Sequence, residues 1–230
     1  MIAIKTDMTN PWLNISISDT IADCDKSFLN NLPKRVLDKF EFRTLPEPFH
    51  GDPDANVYIL HGNPLSGEND LAYINVPAYE QELVDEMTLK NKDFLWLREQ
   101  ETIVDINGNP YPAYAYWKKA TRTLRYGKKS LSIFCIEAFP YHSLHSKDFE
   151  GIANLPSNQF TNDWILDAIN KDKFIVLMRC EKYWYKRVPQ LQGYKNLLFR
   201  NTNRCPALSR NNFSKSLPTQ LEWNHFLSML

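Results

Sequence analysis

Four short apolar runs, each giving way to a polar cluster, constrain the fold of this chain more than any other feature. Val57–Leu60 leads into His61-Gly62-Asn63-Pro64, and Leu131–Ile136 into Glu137-Ala138-Phe139-Pro140-Tyr141-His142-Ser143. Phe174–Met178 leads into Arg179-Cys180-Glu181-Lys182, and Asn196–Phe199, the weakest run, precedes a loop from Asn203 through Asn212. Short runs rich in Val, Ile and Phe have the length and composition of strands buried on both faces.

Amphipathic stretches with helix punctuation separate these runs. Pro77 suits the first position of a helix to about Lys90, with Glu80, Glu82, Asp85 and Glu86 in turns where the helix dipole favours acids. Pro112–Tyr126, ended by Gly127, is a second helix, and Thr161 caps a third through Asn170. Glu181–Leu191 is a fourth, disturbed by Pro189, and Thr219 caps a terminal one carrying Leu221, Phe226, Leu227 and Leu230. Before Asn56 the pattern is broken: Asp25 can cap a short helix from Lys26, while Pro33, Pro46, Pro48 and Pro53 interrupt what surrounds it. Strands alternating with helices imply an α/β fold, a three-layer αβα sandwich around a central, mostly parallel sheet. With no repeat and no low-complexity linker, residues 1–230 read as one domain, 1–55 an irregular N-terminal approach and 56–230 the core. Ligands of such sheets bind at the carboxyl ends of the strands, so the four clusters should face one crevice.

Charge is divided along the chain. Residues 1–110 hold 9 Lys/Arg against 19 Asp/Glu, a net −10, and residues 111–230 hold 18 against 8, a net +10. Lys118, Lys119, Arg122, Arg125, Lys128 and Lys129 occur with no acid among them. Arg179–Lys215 holds nine basic residues against Glu181 alone, interleaved with Tyr183, Trp184, Tyr185, Tyr194 and Phe199. That composition suits a surface that grips phosphates and stacks bases, and it equally suits solvated helix faces paired to the acidic half. Cys24, Cys135, Cys180 and Cys205 are widely spaced, so neither a disulfide framework nor a zinc site is signalled, and no metal or cofactor is expected. No apolar stretch approaches the ~20 residues of a membrane helix. The first 30 residues carry Asp7, Asp19, Asp23 and Asp25 in place of a basic start and an apolar core, so a soluble, cytoplasmic protein is expected.

Within the clusters, residue chemistry selects candidates. Asn63 offers an amide able to donate and accept, with Pro64 fixing the backbone behind it; Asn-Pro is also an ordinary turn signal. Asp70 is a candidate general base or a cap. Glu137, directly after a six-residue apolar run, is the carboxylate best placed for desolvated acid/base work, or else a structural partner of a loop amide. Tyr141, His142 and Ser143 supply a stacking ring, a group titrating near neutrality and a hydroxyl, without the order of a hydrolase triad. Arg179 brings a guanidinium suited to phosphate or carboxylate, or paired with Glu137 or Glu181. Asn203, Arg204, Ser209, Arg210 and Asn212 lie in a loop rich in donors that can cradle a phosphate backbone.

The order of these segments resembles the uracil-DNA glycosylase superfamily. Asn63-Pro64 after an early strand looks like its first motif, and Cys205-Pro206-Ala207-Leu208-Ser209 ahead of the C-terminal helix looks like its second. Glu137 stands where the family's middle strand ends in the residue that reads the uracil edge. Four departures stand out: His61 replaces the usual Gly two places before the motif Asn, Leu65 the Gly after Pro64, Arg204 stands near the usual His, and Glu137 replaces the usual Asn. The chain is also similar to a bacterial branch marked by Glu-x-x-Pro-Tyr-His-Ser, by Leu155-Pro156-Ser157-x-Gln159 and by an Arg after the fourth segment, from which no activity carries over. The resemblance implies a partner nucleic acid, DNA, and a DNA N-glycosylase reaction: a flipped base stacked on Tyr141, with Asn63 or Asp70 orienting water toward the sugar carbon. A catalytically silent nucleic-acid binder of the same fold and a small-molecule hydrolase using the same crevice remain the alternatives.

Overall fold

The computed structural model describes residues 9–65, 67, 70–125, 127–128, 130–146, 148–202 and 207–230. The central sheet has five strands: β2 (Phe49–Gly51), β3 (Val57–Leu60), β4 (Phe134–Ile136), β6 (Phe174–Leu177) and β7 (Leu197–Phe199), in the order β2-β4-β3-β6-β7. The last four are mutually parallel, and β2 runs antiparallel along the outer edge of β4. A separate two-stranded piece pairs β1 (Phe40–Glu41) with β5 (His142–Ser143). Seven α-helices complete the described residues: α1 (Asp23–Asn30), α2 (Lys34–Leu37), α3 (Pro77–Met87), α4 (Pro112–Thr121), α5 (Asn158–Asn170), α6 (Glu181–Arg187) and α7 (Gln220–Ser228). None of the described helices is long and apolar enough to cross a membrane.

The sheet registers explain the layers. Tyr58 pairs with Phe134 and Ile175, so these side chains share one face, where Phe134 packs on Trp164 of α5 at 5.0 Å between ring centroids. Ile59, Cys135, Val176 and His50 share the other face, against which lie α3, α4 and the turn Leu95–Leu97; His50 meets Trp96 there at 5.8 Å. α7 closes the same face further along, with Phe226 against Phe174 at 5.5 Å. Both faces are therefore covered, which is why every residue of β3 and β6 is buried and why their sequences are continuous rather than alternating. Each such side chain contributes about 1.5–3 kcal/mol by leaving water.

The N-terminal segment departs from the irregular approach expected before Asn56. It supplies α1 and the edge strand β2, and the pairing continues past β2 because Glu47 N–H donates to Pro140 O and Glu137 N–H to Pro48 O. An edge strand tolerates flanking prolines, whose missing donors would break a central one. Gly51 is needed at its end: its φ is +90°, and a Cβ there would stand 2.2 Å from the Ile133 carbonyl oxygen. Asp25 lies inside α1 instead of capping it; fully buried, it accepts Tyr141 Oη–H at 2.8 Å and both Ser157 N–H and Oγ–H. Thr161 is likewise inside α5, where its hydroxyl and Asn162 meet the buried guanidinium of Arg187. α7 begins as expected, with Thr219 and Glu222 in a reciprocal capping box. Thr219→Ala should lower the unfolding free energy by about 1 kcal/mol in denaturant titration; no change would mean that packing of Trp223 and Phe226 alone sets the stability of this helix.

Candidate functional site

The chain visits β3, then β4 on one side of it, then β6 on the other, so the order of strands reverses beside the carboxyl end of β3. Parallel sheets open a crevice at such a reversal, because the connections leave toward opposite faces. A cavity of about 240 Å³ lies at this place, bordered by Asn63, Pro64, Asp70, Glu137 and Arg179. Three of the four polar clusters thus meet, as their positions after β3, β4 and β6 require. That volume is below the ~300–1,000 Å³ of drug-sized sites and suits a single small ring system.

His61 and Glu137 each follow the last residue of a strand, Leu60 and Ile136, which are register partners; both therefore turn to the α4 face. His61 Nδ1 donates to Glu137, 2.9 Å from Oε1 and 3.0 Å from Oε2, leaving Nε2 to accept the Tyr116 hydroxyl at 2.8 Å. The result is a phenol, an imidazole and a carboxylate in series, with Trp117 beside the imidazole at 5.4 Å. Burial pushes the Tyr116 phenol up, and Arg179 pulls against that. Arg179 makes no ion pair among the described residues, contrary to the pairing with Glu137 or Glu181 that was open from sequence, and its buried Nε–H has no partner.

Asn63 is held in one orientation. Its Nδ2 hydrogens go to Pro64 O at 2.8 Å and to Ser143 Oγ at 2.6 Å, while Ser143 in turn donates to His145 O. Because a carbonyl can only accept, the nitrogen must face Pro64, and the amide oxygen is left buried without a partner. Asp70 accepts Gly67 N–H at 2.7 Å; burial pushes its carboxyl up, the Gly67 N–H opposing.

Behind these residues lies a buried group that the sequence did not single out. Glu47 borders the cavity, with Oε2 accepting Trp96 Nε1–H at 3.0 Å and lying 3.1 Å from His50 Nε2. Its Oε1 lies 3.1 Å from His142 Nε2, a charge contact rather than an aligned hydrogen bond. His50 Nδ1 meets Glu86 Oε2 at 2.6 Å, and Glu86 Oε1 accepts the N–H groups of Gly51 and Leu95. Burial alone would push both imidazoles down, but Glu86 and Glu47 hold His50 up at about 10, and Glu47 holds His142 above its ordinary value. Burial alone would likewise raise Glu47; His142 and His50 instead hold it at about 2.

Other expected site residues fall elsewhere. Tyr141 is buried against Asp25 and Trp12, so it is no platform for a stacked base; Tyr111, Tyr116 and Trp117 are the aromatic groups at the cavity. His142 and Ser143 do not border the cavity and act through Glu47 and Asn63. Ser209, Arg210 and Asn212 lie by the β7 edge, where Asn212 O accepts Asn201 N–H and Asn212 Nδ2 donates to Ala207 O. Asn203 and Arg204 are outside the described residues. Of the described basic residues in the two stretches only Arg179 borders the cavity; Lys118 pairs with Glu101 at 2.6 Å, and Lys128 donates to Leu227 O, at the end of the sheet away from the cavity. Tyr183 and Trp184, interleaved with the second stretch, are buried. Glu86 falls in the last turns of α3, at i+7 and i+3 from the buried Tyr79 and Leu83; a carboxylate inside an apolar stripe was the signal that could have found it.

Cys24, Cys135 and Cys180 are in no disulfide, and no group of three or more His, Cys, Asp or Glu among the described residues is arranged to hold a metal ion. No family model, no curated protein and no solved structure matches the chain.

Proposed function

We propose that this protein belongs to the uracil-DNA glycosylase-like class and acts on a base of a nucleic acid, cleaving its N-glycosidic bond by attack of water. The observation that carries the reading is the meeting of Asn63, Asp70 and Glu137 at one small cavity beside the strand reversal, with aromatic rings on its α4 side. A flipped base has the size of that cavity and would lie against Tyr116 and Trp117. Asp70, whose desolvated carboxylate is a stronger base than one in water, takes a proton from water as the oxygen bonds to the sugar carbon. The glycosidic electron pair leaves with the base, whose ring nitrogen takes up a proton from solvent, and Asp70 returns the proton it received to solvent. Asn63, its nitrogen locked, offers its amide oxygen to orient that water.

A second reading, hydrolysis of a free nucleoside or nucleotide in the same cavity, is favoured by one observation: of the described basic residues in the two stretches, Arg179 alone borders the cavity, and the interleaved Tyr183 and Trp184 are buried. Both readings are tested by incubating purified protein with labelled single- and double-stranded DNA bearing uracil, hypoxanthine or alkylated bases, and with free nucleosides, followed by alkali cleavage or base release. Release from DNA that is lost in Asn63→Ala supports the first reading, and release from nucleosides alone supports the second. Salt-sensitive DNA binding without release leaves a silent binder. Neither binding nor release from any of these substrates removes the nucleobase reading.

A further inference from the structure

We infer that the cavity selects nucleobases bearing an exocyclic amino group and rejects their oxo counterparts. The inference rests on the reading that the cavity holds a base, and it follows from the hydrogen-bonding capacity left over after the protein's own bonds are made. The side-chain donors of Asn63, His61 and Tyr116 are engaged: both Nδ2 hydrogens of Asn63 by Pro64 O and Ser143 Oγ, His61 Nδ1–H by Glu137, and the Tyr116 hydroxyl by His61 Nε2. Among the other described lining residues, the Tyr111 hydroxyl faces Glu47, Arg179 keeps a buried Nε–H without a partner, Trp117 brings an indole N–H, and Ser146 contributes a hydroxyl that can serve either way.

Acceptors, by contrast, are in surplus. The Glu137 oxygens share the single His61 hydrogen, Oε1 also faces the Cys135 thiol at 3.9 Å, and both keep further lone pairs; Asp70 receives one backbone N–H, and the Asn63 amide oxygen has no partner. A uracil edge presents two carbonyl acceptors around one imino N–H, so it would set carbonyls against carboxylates. Cytosine or adenine presents an amino group with two hydrogens beside a ring acceptor, matching carboxylate oxygens on one side and Arg179 on the other. Polar groups left unpaired in a closed site are the strongest source of discrimination available to a pocket.

The test is equilibrium binding of free bases to the full chain in isosteric pairs, cytosine with uracil and adenine with hypoxanthine, read by calorimetry and by fluorescence of the tryptophans. The expected result is that the amino member of each pair binds at least about tenfold tighter. Glu137→Gln, which keeps the shape and adds a donor, should shrink that ratio about tenfold; if this variant does not fold, the wild-type ratios decide alone. Binding of both members with equal or reversed preference overturns the inference and leaves the nucleobase reading standing. Binding of none of the four at millimolar concentration overturns the nucleobase reading itself.

Discussion

Glu47→Ala is expected to destabilise the fold by about 4 kcal/mol, the range found when one partner of a buried ion pair is removed. Glu47 is 4% exposed and is the one carboxylate shared by His50, His142 and the Trp96 indole N–H. Its loss leaves that N–H only a long contact to His50 Nε2 at 3.4 Å and strips His142 of the carboxylate 3.1 Å from its Nε2, while His50 keeps Glu86. The wild-type pH profile follows from the same contacts. His50 is held at about 10 against an ordinary 6.5, so its contribution is complete below pH 6.5 and is lost as pH rises toward 10. Glu47 is held at about 2 against 4.5, so its contribution is complete above pH 4.5 and is lost as pH falls toward 2. The group therefore stabilises most between pH 4.5 and 6.5. Denaturant titrations across pH should show both limbs in the wild type, with the acid limb reduced and the alkaline limb shallower in Glu47→Ala. A variant that unfolds with the wild-type profile would show that the four groups carry no net charge coupling.

This buried group also marks the boundary of what the sequence discloses. Val57–Leu60 and Phe174–Leu177 were legible because strands covered on both faces must be continuously apolar, and the crevice followed from where those runs end. The pairing of His50 with Glu86 spans 36 residues and that of Tyr141 with Asp25 spans 116, and no local pattern encodes either. The prolines that made residues 46–53 read as irregular mark an edge strand instead, since β2 bonds to β4 alone. Basic residues counted from Lys118 to Lys129 looked like one surface, yet only Lys118 and Lys119 lie on α4, where Lys118 pairs with Glu101, and Lys128, beyond the end of α4, reaches Leu227 O. That Asn63, Asp70, Glu137 and Arg179 share one cavity was legible because each follows a strand end in the sequence; that Tyr116 and Trp117 border it was not, because this depends on where α4 packs.

Asp70→Asn separates chemistry from stability, and here the expected effect is on rate: release of base should fall about 10²–10⁴-fold, the contribution of a general base. Asparagine keeps an oxygen for the Gly67 N–H, so the turn that presents residue 70 is preserved. The carboxyl of Asp70 is pushed up by burial, which means that its ionised form is disfavoured in the folded state and costs stability as pH rises through the unfolded value of 3.8. The neutral amide removes that cost, and the unfolding free energy at pH 7 should stay level or rise. In the wild type the acid limb of turnover should lie above pH 3.8, because the protonated acid cannot accept a proton from water. A variant that keeps full turnover would assign the base role elsewhere, with Glu137 next in the cavity, and one that loses turnover and stability together would make Asp70 a structural anchor that ties Gly67 to the turn Asp70–Ala72.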